Sequence, residues 1–72
     1  MKDLNVAFKS ASNGRVVVQI LSLDGQVVRT DEHDVTLGKN LITLDVSEIA
    51  AATYYVKIHN GSESFTEKFV KH

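Results

Sequence analysis

The sequence predicts an all-β fold, a small antiparallel immunoglobulin-like sandwich of six or seven strands. Several segments alternate apolar and polar residues, which is the period of a strand with one buried face. Turn signals separate these segments at intervals of about eight to twelve residues, as is typical of such sandwiches. Tyr54 stands near the start of a late strand, after a corner packed by Ile49, and resembles the tyrosine corner of these folds. The 72 residues leave room for one domain, residues 1–72, with a modest core.

The first half of the chain predicts a strand followed by a hairpin. Residues 4–8 alternate as a half-buried strand, and Asn13-Gly14 marks a turn after them. Residues 15–23 are dense in β-branched side chains and apolar on both faces, so we expect a central strand. Asp24-Gly25 predicts a tight two-residue hairpin turn, after which residues 26–30 return antiparallel.

The middle of the chain predicts a charged loop, a short edge and a second alternating strand. Residues 31–34 are Asp, Glu, His and Asp, and we expect them to form a solvated loop. Residues 35–39 predict a short edge segment closed by Gly38. Residues 40–46 alternate cleanly, and their inward face should carry Ile42, Leu44 and Val46.

A corner and another alternating strand follow. Residues 47–52 favour helix weakly, and we expect Ser47 to cap a single turn that packs as a corner rather than a true helix. Residues 53–59 alternate again, and their inward face should carry Tyr54, Val56 and Ile58.

The last predicted element is a strand that closes a hairpin. Asn60-Gly61 predicts the turn, and residues 62–71 predict the strand. Phe65 and Phe69 share one parity along it. Val70 breaks that parity, which suggests a β-bulge at this position.

Composition excludes several classes of function. The chain has no cysteine, which rules out disulfide frameworks and cysteine-bound metals. Its net charge of -1, with both signs interleaved, argues against nucleic-acid binding and against a polybasic membrane anchor. The longest apolar run, residues 16–23, is far shorter than the roughly 20 residues of a membrane-spanning helix. We therefore expect a domain that neither binds nucleic acid nor inserts into a membrane. We also expect it to be a monomer, and any secretory signal should lie outside this sequence.

The order of several motifs resembles that of a known family. An apolar strand leads into Asp24-Gly25 and then Val28, and a Gly-x-Asn step at Gly38 and Asn40 opens the next strand. A tyrosine corner and a basic-apolar signature complete the pattern with Tyr54, Val56, Lys57, Lys68, Phe69, Val70 and Lys71. From Val16 onward the chain resembles the C-terminal sorting domain of the type IX (Por) secretion system of Bacteroidetes.

Two features depart from the family pattern. The family carries a Pro-Asn-Pro-type motif at its start, and this chain has no proline. The sequence therefore either begins after that motif or comes from a divergent member. The corner glycine of the family is replaced by Ala52, which would strain the backbone by about 1 kcal/mol if φ were positive there.

The resemblance implies a transport signal that has no catalytic activity and needs no cofactor. Family members form the C-terminal module of larger secreted proteins, such as proteases, glycoside hydrolases or adhesins. The resemblance implies that an outer-membrane translocon recognises the folded domain, and that sortase-like machinery then removes it so that the cargo is attached to the cell surface or released. The protein would pass through the periplasm to the cell surface or the extracellular space, with the motif residues as the sorting signal.

The residues themselves give little support for metal binding or catalysis. Asp31, Glu32, His33 and Asp34 are the densest group of possible ligands, but neighbours in an extended segment diverge, so we expect a solvated charged segment. The three histidines are far apart in sequence. The GxSxG and HExxH patterns are missing. We therefore expect no metal site and no catalytic residue.

A carbohydrate-binding or adhesive module is the alternative function. Small sandwiches bind glycans through exposed aromatic platforms, and Tyr55 is the candidate because its parity is opposite to that of Tyr54. Whichever of Phe65 and Phe69 faces solvent would join it. The competing interpretation of both phenylalanines is core packing.

Three lysines are the polar residues that we expect to matter for sorting. Lys57 should point away from the core beside Tyr55, whereas Lys68 and Lys71 lie on the final strand. Their alternative role is to keep an edge strand from pairing with another chain. The two roles are compatible, because an exposed edge with basic flanks is also a docking surface for a strand-adding partner.

Overall fold

The computed structural model describes residues 2–60 and 63–72, which form six β-strands. In chain order these are β1 (Asp3–Ser10), β2 (Gly14–Ser22), β3 (Val27–Val35), β4 (Gly38–Asp45), β5 (Thr53–His59) and β6 (Ser64–Val70). The described residues contain no helix, and so none that could cross a membrane. The predicted all-β class is confirmed.

The strands form two antiparallel sheets that pack face to face. β1 pairs with β4 in the smaller sheet, and the larger sheet has the order β3-β2-β5-β6. The chain crosses from one sheet to the other after β1, after β3 and after β4. The prediction that β2 is central is confirmed, since it pairs with β3 on one side and with β5 on the other. The result is a small sandwich of immunoglobulin-like type.

A single apolar core fills the space between the sheets. β2 contributes Val16, Val18 and Ile20, none of them more than 1% exposed. The inward faces predicted for β4 and β5 are confirmed, because the core includes Ile42, Leu44, Val46, Tyr54, Val56 and Ile58. Each large aliphatic side chain removed from water contributes about 1.5–3 kcal/mol, so burial is the main source of stability in a chain without disulfides.

Antiparallel pairing gathers several segments at one end of the sandwich. Ser22 lies opposite Tyr54, which places the β2–β3 hairpin beside the corner that joins β4 to β5. Asp3 lies opposite Asp45, at the point where the chain enters β1. Val70, where the chain leaves β6, lies opposite Thr53. We call this the corner end; the point of entry and the point of exit are both located there.

The charged loop predicted at residues 31–34 is wrong, because these residues form the second half of β3. Pairing with Val18 and Val16 turns Asp31 and His33 towards the core side, so Glu32 and Asp34 point outward. Arg15 Nε lies 3.1 Å from Asp34 Oδ1 across the strands, and Arg29 Nε lies 2.6 Å from Asp31 Oδ2. These pairs and the sheet hydrogen bonds keep the charged segment extended.

The edge segment predicted at residues 35–39 is also wrong. Val35 is the last residue of β3 and is buried, whereas Gly38 is the first residue of β4. The connection between these strands is therefore only Thr36 and Leu37. The chain uses it to cross to the other sheet rather than to form an element of its own.

The β2–β3 hairpin closes with three residues rather than the predicted two. The Gly25 N–H donates to the Ser22 carbonyl at 3.0 Å, and the Ser22 N–H donates to the Gln26 carbonyl at 2.8 Å. Gly25 has a φ of +88°, as expected for a type I turn followed by a left-handed residue.

The bulge predicted at Val70 is wrong, since β6 pairs with β5 without a shift. The register shifts instead between β2 and β3, where Val28 is the extra residue.

The β4–β5 corner is a turn without a Ser47 cap. The Ser47 N–H donates to Asp45 Oδ1 at 2.9 Å, so the aspartate side chain organises the turn. Hydrogen bonding from Ser47, through its side chain first and its backbone second, lowers the pKa of Asp45. Ile49 is partly buried and packs against the core, as the sequence predicts.

The turn predicted at Asn60-Gly61 lies partly outside the described residues, which exclude Gly61 and Ser62. Asn60 and Glu63 close the connection from either side. The Asn60 N–H donates to the Glu63 carbonyl at 3.2 Å, and the Glu63 N–H donates to Asn60 Oδ1 at 3.0 Å. The final strand begins at Ser64 and ends at Val70, which is shorter than the predicted residues 62–71.

Replacing Ile42 with valine should lower the free energy of unfolding by about 1 kcal/mol, because a buried methyl group is lost and a small void remains. The neighbouring Leu41 is 70% exposed, so Leu41→Ala should change the same quantity by less than about 0.5 kcal/mol. Urea denaturation of the three proteins measures both effects. Equal losses in the two variants would contradict the register of β4.

Part of the stability should be lost in acid because of Asp45. A lowered pKa means that the carboxylate stabilises the fold fully above its ordinary pKa of 3.8, and that this contribution is lost as the pH falls through the folded value. A carbon-13 NMR titration of this side chain should give a midpoint below 3.8. Ser47→Ala removes the hydroxyl bond and should raise the midpoint; an unchanged midpoint would contradict the assignment of its cause.

Candidate functional site

The outward side chains of β5 and β6 form one continuous surface. Tyr54, Val56 and Ile58 point into the core, so the residues between them on β5 point away from it. The β5–β6 pairing places Lys68 directly opposite Tyr55. We call this surface the β5–β6 face, and its members are Thr53, Tyr55, Lys57, His59, Ser64, Thr66, Lys68 and Val70.

Three of the residues that the sequence predicts for sorting lie together on the β5–β6 face. Lys57 and Lys68 are exposed, and Val70 is 46% exposed although it is apolar. Lys57 points away from the core beside Tyr55, as predicted. One ammonium group therefore lies along the strand from the Tyr55 ring and another lies across from it. This arrangement can bind a partner that combines negative charge with apolar groups.

Tyr55 belongs to an apolar row that runs across the larger sheet. Leu21 of β2 lies opposite Tyr55, and Val27 of β3 lies opposite Leu21. These neighbours leave Tyr55 half-buried. Tyr55 is thus presented as the end of an aliphatic strip rather than as an isolated ring.

The two aromatic side chains of β6, Phe65 and Phe69, turn towards the core. The Phe65 and Phe8 rings meet edge to face with centroids 6.1 Å apart, and Phe69 stacks on Tyr54 at 5.5 Å. Among the outward residues of the larger sheet that the structure describes, Tyr55 is therefore the only Phe, Tyr or Trp. A platform of several rings, which the glycan-binding alternative would favour, is not formed by these residues.

Tyr54 fixes the corner end. Its hydroxyl donates to the Ala50 carbonyl at 2.6 Å, four residues upstream, which is the tyrosine corner that the sequence predicts. Val56, two residues further along β5, is 2% exposed and belongs to the core. No described residue other than glycine has a positive φ, so the strain considered for Ala52 does not arise.

Gly38 and Asn40 organise the opposite end of the sandwich. The Asn40 amide donates to the Thr36 carbonyl at 2.9 Å and to the Gly38 carbonyl at 3.0 Å, and its Oδ1 accepts from the Thr36 N–H at 3.1 Å. The side chain thereby satisfies backbone groups at the start of β4 and in the connection before it. Gly38 has a φ of +101°, which favours glycine. The Gly-x-Asn motif accordingly builds the crossover from β3 to β4.

Asp24 and Gly25 form the β2–β3 turn, and Val28 follows it as the bulged residue. The Ser22 hydroxyl donates to the Asp24 carboxylate, and this bond is the main reason that the pKa of Asp24 is lowered. Gly25 provides the left-handed conformation described above. Val28 is 43% exposed at the edge of the larger sheet. The two turn residues therefore shape the hairpin, whereas Val28 is open to solvent.

Lys71 is buried, in contrast to the edge-protecting role that the sequence suggests for it. Its residue exposure is 8%, and its Nζ lies 2.5 Å from the Val46 carbonyl oxygen, 2.5 Å from that of Ile49 and 3.2 Å from that of Ser47. The lysine therefore projects into the β4–β5 corner. Its ammonium donates to the backbone instead of facing a partner or a neighbouring chain.

A signal for the burial of Lys71 was present in the sequence. Phe65 and Phe69 point inward, and a residue two positions beyond Phe69 shares its parity. The positive charge of Lys71 argues against an inward position, since lysine is almost never fully buried unless its polar atoms are paired. Only the three carbonyls of the corner, which the sequence cannot reveal, make the inward position favourable.

The acidic residues of β3 do not converge into a metal site. Alternation sends Asp31 and His33 to one side of the sheet and Glu32 and Asp34 to the other. Arginine side chains also lie within ion-pair distance of Asp31, Glu32 and Asp34. Within residues 2–60 and 63–72 no group of three or more His, Cys, Asp or Glu side chains is arranged to hold a metal ion.

Comparison with known proteins assigns the chain to a family. The family model described as the secretion system C-terminal sorting domain matches residues 1–72, which is the whole sequence. No curated protein and no solved structure shows significant similarity to the chain. Membership implies a secreted protein that reaches the cell surface or the extracellular space. The chain belongs to the C-terminal sorting domains of the type IX secretion system.

Proposed function

We propose that this domain is the C-terminal module of a larger secreted protein, and that it is a non-catalytic signal that directs the cargo across the outer membrane. The cargo passes through the periplasm and is then attached to the cell surface or released. The partners are the outer-membrane translocon and the sortase-like machinery that processes the cargo. The family assignment supports this function, since it identifies a type IX sorting signal over the whole sequence.

The observation that carries the proposal is a division among the motif residues. Most of them build the fold: Asp24, Gly25, Gly38, Asn40, Tyr54, Val56, Phe69 and Lys71 make turns, crossovers, core or corner. The remaining ones, Val28, Lys57, Lys68 and Val70, are open to solvent. We propose that the translocon contacts Lys57, Lys68 and Val70, because they share the β5–β6 face.

The edge of the sheet adds to this surface. β6 pairs only with β5 and is the last strand of the larger sheet. Such an edge offers backbone N–H and C=O groups to an added strand, while nearby lysines disfavour indiscriminate pairing. A partner with an acidic extended segment would match both the charge and the open edge.

Reversing the charge of Lys57 and Lys68 together should trap a reporter that carries residues 1–72 at its C-terminus inside the cell envelope. Both side chains are exposed, so each replacement should change the free energy of unfolding by no more than about 0.5 kcal/mol. Cell-surface labelling and periplasmic fractionation measure the distribution. Lys9→Glu is the matched control, since Lys9 is exposed on β1 and lies outside the β5–β6 face.

Two outcomes would contradict this assignment of the face. The first is normal surface display of the Lys57→Glu, Lys68→Glu variant with its fold intact. The second is an equal loss of display in the Lys9→Glu control, which would indicate a general effect of charge rather than a specific surface.

Deleting residues 68–72 from the same reporter should also retain it in the periplasm. The deletion removes Lys68 and Val70 from the β5–β6 face, and it removes Phe69 and Lys71 from the interior. Fractionation compares the deletion with the intact reporter. Normal surface display of the truncated protein would refute the sorting function itself.

A further inference from the structure

The interior of the corner end is organised around the peptide groups of Val46, the first residue after β4. Its side chain is 0% exposed. Its N–H donates to the Lys2 carbonyl at 2.8 Å, immediately before β1 begins. Its carbonyl accepts from Lys71 Nζ at 2.5 Å, immediately after β6 ends. A single buried residue therefore connects the segment where the chain enters the domain to the segment where it leaves.

Backbone carbonyls of the β4–β5 corner match the number of hydrogen-bond donors on the Lys71 ammonium. It carries three N–H donors, and three carbonyl oxygens lie within 3.2 Å of Nζ, those of Val46, Ser47 and Ile49. In the part of the chain that the structure describes, no buried side-chain nitrogen or oxygen lacks a hydrogen-bond partner. Ion pairs among these residues do not include Lys71. Carbonyl dipoles rather than a carboxylate therefore balance the buried charge.

The backbone reinforces the side chain. The Lys71 N–H donates to the Ala52 carbonyl at 2.8 Å, on the other side of the corner. Tyr54 holds the same corner through its bond to the Ala50 carbonyl, and its ring stacks on Phe69. By contrast, residues 64–68 of β6 are exposed, although Phe65 among them packs its ring against Phe8. The exit from β6 is thus held mainly by Phe69 and Lys71.

We infer that Lys71 is an internal latch, whose ammonium holds the β4–β5 corner closed and fixes the exit from β6 to the segment that enters β1. With the latch seated, Lys68 and Val70 keep their positions on the β5–β6 face. With Lys71 displaced, the end of β6 and the Lys2–Val46 contact both loosen. Lys71 is then a positioning residue for the sorting signal rather than a contact; this last step rests on the function proposed above.

Amide hydrogen exchange of the 72-residue protein tests the latch. Lys71→Met keeps an unbranched side chain but removes the ammonium, and Lys68→Met is the matched control on the exposed face. The first variant should exchange the Val46 and Lys71 backbone amides faster by about tenfold or more, the effect expected when a charged hydrogen bond is lost. The control should leave both rates unchanged. Unchanged exchange in Lys71→Met, or equal acceleration in the two variants, would overturn the latch.

The unaltered protein gives a second measurement that does not depend on a variant that folds. Lysine acylation followed by mass spectrometry should modify Lys57 and Lys68 rapidly and Lys71 slowly, because only the last ammonium is enclosed. Equal rates at all three positions would overturn the latch.

A secretion assay distinguishes the positioning role of Lys71 from the sorting function itself. A Lys71→Met reporter that shows faster exchange and reduced surface display supports the positioning role. The same reporter displayed normally, despite faster exchange, would overturn that role. The sorting function itself is tested independently by the charge-reversed face and by the deletion.

Discussion

The burial of alternating aliphatic side chains between two sheets is the constraint on which everything else in this domain depends. Val16, Val18 and Ile20 of β2 lie against the side chains of the smaller sheet, and the chain has no disulfide to compensate for a poor fit. Only two strands cover a sheet of four, so the two sheets alone do not enclose the core, and contacts at the ends of the sandwich must complete its enclosure. Side chains that bond to backbone carbonyls provide it, among them Asn40 at one end and Tyr54 and Lys71 at the other.

The period of two made the inward faces of β4 and β5 predictable, because large apolar side chains at every second position leave no other sensible orientation. The same rule failed for β3. Three of its inward positions hold Arg29, Asp31 and His33, and these polar side chains hide the alternation, so the pattern of residues 31–34 predicts a loop instead. The Arg29–Asp31 pair explains why the strand nevertheless continues. The length of the hairpin loop does not follow from Asp24-Gly25, because this pair is compatible with loops of two and of three residues.

The motif residues show a second limit of prediction from the sequence, which concerns the role of each residue rather than its place in the fold. A family pattern identifies positions but does not separate residues that a partner contacts from residues that the fold requires. Asn40 and Lys71 are both polar, and although parity with Phe69 points Lys71 inward, the sequence does not reveal the backbone carbonyls that each side chain contacts. The structure shows that each side chain donates hydrogen bonds to backbone carbonyls of its own domain. The exposed motif residues are consequently few, and three of them, Lys57, Lys68 and Val70, share the β5–β6 face.

The charged pair turned inward on β3 has a consequence for how this molecule meets others. The larger sheet ends at β3 on one side and at β6 on the other. A foreign strand aligned with β3 would bring its own side chains against Arg29 and Asp31 and strip water from both, which is unfavourable. At β6 the inward positions are Phe65, Glu67 and Phe69, so this edge also carries a charged side chain on its core-facing side. Each outer strand of the larger sheet therefore carries an acidic side chain at an inward position, Asp31 in β3 and Glu67 in β6, a feature that disfavours unselective addition of further strands.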